Sequence, residues 1–127
     1  MKQFALIAFV IVLSGCVSYY RNYDYDIYRV SDDLSYASVF FWGDHYASNW
    51  EEKAKETAKK MLASEAAHFH LSGEITFDGR PQQFEMGGIS VNAFIGRSVS
   101  ADEATRIKAQ INYRSPREHG KAKLPAE

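Results

Sequence analysis

Residues 48–70, SNWEEKAKETAKKMLASEAAHFH, run directly into residues 71–78, LSGEITFD. At the join the apolar spacing changes from about 3.6 residues to about 2. In the first stretch Trp50, Ala54, Thr57, Ala58, Met61, Leu62, Ala66 and Phe69 recur on one side of a helix. The opposite side carries Glu51, Glu52, Lys53, Lys55, Glu56, Lys59 and Lys60. Glu51 with Lys55 and Glu56 with Lys60 stand in the favourable i, i+4 order, and Ser48 with Glu51 matches a capping box. This is a surface helix with one face to bury. In the second stretch Leu71, Gly73, Ile75 and Phe77 alternate with Ser72, Glu74, Thr76 and Asp78, the pattern of a half-buried strand.

Strands flank this junction on both sides. Upstream, Tyr23, Tyr25 and Ile27 alternate with Asp24, Asp26 and Tyr28, and residues 35–42 form the most hydrophobic stretch after residue 16, read as a central strand ended by Gly43-Asp44. Downstream, Asp78-Gly79 predicts a two-residue hairpin, with the return passing Phe84 and Met86. Gly87-Gly88 then marks a bulge or second turn before Ile89, Val91, Ala93 and Ile95. Ile107, Ala109, Ile111 and Tyr113 alternate with Arg106, Lys108, Gln110 and Asn112, which favours a strand; Ser100 and Glu103 also match a capping box that would open a helix over the same residues. The fold class expected is α+β: two layers, one long amphipathic helix packed on a mostly antiparallel sheet that ends in a β-meander.

The N-terminus carries a different signal. Lys2 precedes an unbroken apolar run from Phe4 to Leu13, then Ser14, Gly15 and Cys16. Ten helical residues rise only about 15 Å, and a bilayer core takes about 20 residues to span. Leu13-Ser14-Gly15-Cys16 resembles the lipobox of bacterial lipoprotein precursors. That resemblance implies a signal peptide over residues 1–15, cleavage before Cys16, and diacylglyceryl and palmitate-type acylation of Cys16. Valine at position 17, where an aspartate would favour inner-membrane retention, implies an outer-membrane protein, lipid-anchored and facing the periplasm. The expected layout is then a lipidated cysteine with a short tether over residues 16–24, a single α+β domain over 25–113, and a disordered basic tail over 114–127, where Pro116, Gly120 and Pro125 sit among polar residues. Residues 17–24 span at most about 27 Å when extended.

Composition excludes several roles. Cys16 is the only cysteine, so a lipidated chain has no disulfide and no thiol chemistry. Fifteen basic side chains against sixteen acidic, with no basic stripe, exclude nucleic acid as an expected partner. Ser, His and Asp occur without a motif that gathers them, and Gly87-Gly88 is not followed by the Lys-Ser/Thr of a phosphate loop. The pairs Asp24/Asp26 and Asp32/Asp33 read as a solvated strand face and a turn rather than as glycosidase carboxylates. No enzyme, no cofactor and no metal are expected. His68 and His70 are weak metal candidates, since an ion shared between i and i+2 needs a strand there, with Asp44 and His45 as further ligands.

Two roles remain. The first is a non-catalytic lipoprotein that binds an envelope protein, as an assembly or accessory subunit, through the tyrosines at Tyr19, Tyr20, Tyr23 and Tyr25. The second is a ligand-binding or inhibitory lipoprotein that recognises a glycan, lipid, metal or foreign enzyme. Its site would be the segment from Trp42 to Trp50, with Asp44, His45 and Tyr46 between the two indoles.

Overall fold

In the computed structural model the described residues are 21–43, 48–111 and 117–125. They form an antiparallel sheet with two helices. In chain order the elements are β1 (Asn22–Ser31), β2 (Leu34–Trp42), α1 (Trp50–His68), β3 (Glu74–Phe77), β4 (Gln82–Gln83), a short 3₁₀ turn (Glu85–Gly87), β5 (Gly88–Gly96), α2 (Ala101–Ile111) and β6 (Arg117–Lys123). The sheet order is β3-β5-β2-β1-β6, with β4 also paired to β5.

Alternation along the strands builds two unlike faces. On the first, Tyr23, Ile27, Ala37, Val39, Phe41, Ile89, Val91, Ala93 and Ile95 make the main core with Ala54, Ala58, Met61 and Leu62 of α1. The helical spacing read in the sequence is the one that is buried. The capping box at its start does not form: Asn49 is the N-cap and gives no side-chain hydrogen bond. On the second face Leu34, Tyr36 and Phe94 pack with Ile107 and Ile111 of α2.

Several expectations are corrected here. Residues 101–111 are helix, so the α+β sheet carries a helix on each face rather than a single helix on one. Ile107 and Ile111 satisfy a period of 2 and an i, i+4 spacing alike, and Ala104 extends only the second. The cap decides it: the backbone N–H of Glu103 donates to Ser100 Oγ at 3.2 Å, which satisfies a first-turn donor. The Glu103 carboxylate turns to Arg97 instead, and that hydrogen bond holds it below the usual carboxylate range.

Asp78-Gly79 does not close a hairpin. β3 and β4 both pair with β5, Glu74 opposite Gly96 at one end and Gln83 opposite Ile89 at the other, so residues 78–81 are an excursion within one edge. The reversal comes at residues 84–87, where Met86 and Gly87 take the left-handed φ values 70° and 92°. The C-terminal half is therefore no meander, because the chain leaves β5 through α2 for the far edge of the sheet.

There, residues 117–123 pair with β1 from Arg117 opposite Tyr28 to Lys123 opposite Asn22, where a disordered tail was expected. The tether boundary also moves, since β1 begins at Asn22. A Cβ on Gly120 would come within 2.6 Å of the Tyr25 hydroxyl, so glycine is what lets the Tyr25 ring lie across β6.

Candidate functional site

α2 spans only the upper half of the second face. Below it three cross-strand rows are covered by no helix among the described residues. Asp26, Ser38 and Asn92 form one row with His119; Asp24, Phe40 and Ser90 form the next with Lys121; Trp42 faces Gly88 in the last. Each row follows from strand alternation, which sends these residues away from α1.

Polar groups organise the upper part of this surface. Ser38 Oγ lies 2.6 Å from Asn92 Oδ1. The Asp26 carboxylate accepts from Arg117 Nη2 at 2.7 Å and lies 2.7 Å from His119 Nδ1, tying β6 to β1. The same carboxylate raises the Arg117 guanidinium above its ordinary value. The lower part is aromatic. The Phe40 ring meets Trp42 edge-on at 5.5 Å and Phe84 at 5.9 Å. Trp42 is 43% exposed, Phe84 49% and Met86 90%. Beside them a shallow depression of about 340 Å³ is lined by Asn22, Tyr23, Asp24, Phe40, Trp42, Lys121 and Ala122.

The residues singled out from sequence fall differently. Leu13, Ser14, Gly15, Cys16, Tyr19, Tyr20, Asp44, His45 and Tyr46 lie outside the described residues. Tyr23 is 3% exposed and its hydroxyl donates to Glu65 Oε1 at 2.8 Å, so it belongs to the core and not to a displayed face. Tyr25 packs edge-on against Phe69 at 5.6 Å. Burial first, then the hydrogen bond to Glu65, pushes the Tyr23 hydroxyl up to about 12. Trp42 and Trp50 do not form one platform: Trp42 stands on the second face, whereas Trp50 packs against the main core on the first.

His68 ends α1, its Nδ1 3.2 Å from Glu65 Oε2, and the next strand begins only at Glu74. The strand geometry that a shared ion would need at His68 and His70 is therefore not there. Among the described residues no three His, Cys, Asp or Glu side chains gather as a metal site. The pair Glu65–His68 is an acid beside a base, yet its acid is sealed under α1 against Tyr23.

Sequence reasoning missed Glu65, Phe84 and Met86. Glu65 had a visible signal, an acidic residue on the apolar stripe of α1 three places after Leu62. Phe84 and Met86 looked like strand interior because they lie two apart, and only the turn shows them displayed.

Among the described residues no helix is long and apolar enough to cross a membrane. Comparison with protein-family models, with curated proteins and with solved structures finds no match. The site is thus defined by its own geometry: an open, mixed aromatic and charged half of a sheet face.

Proposed function

We propose that the chain is a non-catalytic lipoprotein of the outer membrane, held by Cys16 and facing the periplasm, that binds a protein partner as an assembly or accessory subunit of an envelope complex. One observation carries the binding role. α2 packs on only part of the second face, and among the described residues no other helix covers Phe40, Ser38, Asn92, Asp24 and His119. An aromatic ring set among polar and charged side chains is a composition that a non-obligate protein interface can use. Strand addition at the β6 edge is a poorer route, since Lys121 and Lys123 stand along it and charged edges resist pairing.

The test is an in-cell photocrosslink from position 92, at the centre of the open face, compared with position 59 on the solvent side of α1. The expected result is one dominant envelope-protein adduct from position 92 that is absent from position 59 and is lost on Ser38→Arg. Adducts with lipid or glycan alone, or the same adduct from both positions, would overturn it.

A second reading, a ligand-binding or inhibitory lipoprotein, is favoured by the depression beside Trp42, where an indole lies near Asp24 and Lys121. Those groups suit a sugar ring, with stacking from below and hydrogen bonds at its edge. A cell-wall fragment that shields Trp42 from acrylamide quenching would favour this reading over the first.

A further inference from the structure

The three large apolar side chains that stand exposed among the described residues, Trp42, Phe84 and Met86, gather at one end of the sheet. Trp42 closes β2 opposite Gly88, which opens β5, and the Phe84–Gly87 turn leads into that same residue. Two hydrogen bonds lock the corner: Gly43 N–H donates to the Gly87 carbonyl at 3.0 Å, and Phe84 N–H to the Gly88 carbonyl at 2.7 Å. Met86 sits at its tip with a backbone that L-residues seldom adopt, and 90% of its surface is open. A soluble surface rarely concentrates its exposed apolar groups in this way without something to cover them.

The chain enters the fold at the same end. Asn22, the first residue of β1, lines one depression with Trp42 and Lys121, and Arg21 beside it donates to the Leu124 carbonyl. Cys16 precedes Arg21 by five residues, so at most about 18 Å of extended chain separates them. From the proposed lipid anchor we infer that this end of the sheet is a second membrane contact, in which Trp42, Phe84 and Met86 seat in the interfacial layer of a phospholipid bilayer while Arg21, Lys121 and Lys123 meet its phosphates. The inference rests on the lipoprotein reading.

The chemistry fits that occupant. Tryptophan favours the headgroup level, where its ring is half apolar and its N–H is wet. Lysine stems lie along apolar surface while their ammonium groups reach outward. Asp24 beside Lys121 and Glu85 in the turn offset part of the positive charge, so apolar insertion leads and anionic lipid assists. With this lip on the bilayer the strands stand upright, and the open face looks sideways along the membrane.

The test uses the full chain, lipidated in cells and reconstituted into vesicles of phosphatidylethanolamine and phosphatidylglycerol. Cys16 is the only native cysteine, and acylation blocks its sulfur, so Met86→Cys provides one thiol for a nitroxide. Met86 touches little, and its replacement leaves the core intact. Asp32→Cys, in the turn at the other end of β1 and about 30 Å away by strand rise, is the control. Labelled palmitate is followed in the same preparations.

With palmitate incorporated, the nitroxide at position 86 is expected to be about threefold more accessible to oxygen than to a water-soluble nickel chelate, and the one at position 32 to show the reverse. Palmitate incorporated with an aqueous signal at both positions overturns the membrane contact and leaves the anchor standing. Shielding of position 86 from both reagents marks contact between two copies of the chain and overturns it equally. Absence of palmitate overturns the anchor, and the inference with it.

Discussion

The hydroxyl of Tyr23 reaches a carboxylate that is itself sealed from water, since Glu65 is only 3% exposed. Tyr23→Phe keeps the ring and leaves Glu65 Oε1 without this donor, and a buried acceptor that loses its partner costs about 1–3 kcal/mol. The expected readout is a lower urea midpoint with an unchanged slope. The same hydroxyl sets an alkaline limit. Its value is raised from 10.0 to about 12 in the folded chain, so the unfolded chain releases this proton first as pH rises. Its stabilisation is complete below pH 10 and is lost between pH 10 and about 12, a change of roughly 2–3 kcal/mol. Tyr36 is raised too, by burial and then by its hydrogen bond to Asp78, and adds loss on the same side. Tyr23→Phe should flatten the decline of melting temperature measured above pH 10. Strand alternation placed Tyr23 with Ile27 on one face, and that is where it lies. Its inward burial was not legible, because the acceptor stands 42 residues away on a helix whose docking angle no local pattern records.

At the level of elements, α1 was readable because its apolar stripe is long and its opposite side fully charged, so one period fits and the other fails. α2 was not, since its two buried isoleucines fit both periods, and only Ala104 and the hydrogen bond from Glu103 to Ser100 favour the helix. β6 carried even less signal: its inward residues are Glu118, Gly120 and Ala122, and no apolar alternation marks them. What specifies it is charge across the strand pair, with Asp24 opposite Lys121 and Asp26 held by Arg117 and His119. Ending the chain after Arg114 removes β6 and bares the outer edge of β1. A fall in melting temperature on the order of 10 °C is expected, with added aggregation from the unpaired edge. Circular dichroism through the transition checks this; a truncation that leaves the melting temperature unchanged would show β6 to be dispensable.

For the whole molecule, the α+β class and an antiparallel sheet were legible in the change of period at residues 70–71, whereas the strand order was not. Antiparallel neighbours can be joined by a tight turn or by a long crossing, and the sequence between β5 and β6 does not say which edge it returns to. The uncovered half-face depends on that order, so the candidate site was no more legible than the crossing itself. The proposed anchor belongs to this scale as well: if it exists, Cys16→Ala abolishes incorporation of labelled palmitate and releases the protein from membranes, measured by fractionation. One last property follows from β6. Its pairing joins Asn22 to Lys123, so the first strand waits for a segment far along the chain before both its edges are filled. Closing so long a loop is slow compared with local pairing. A chain whose residues 117–123 have not yet been made therefore holds its first strand with one edge open.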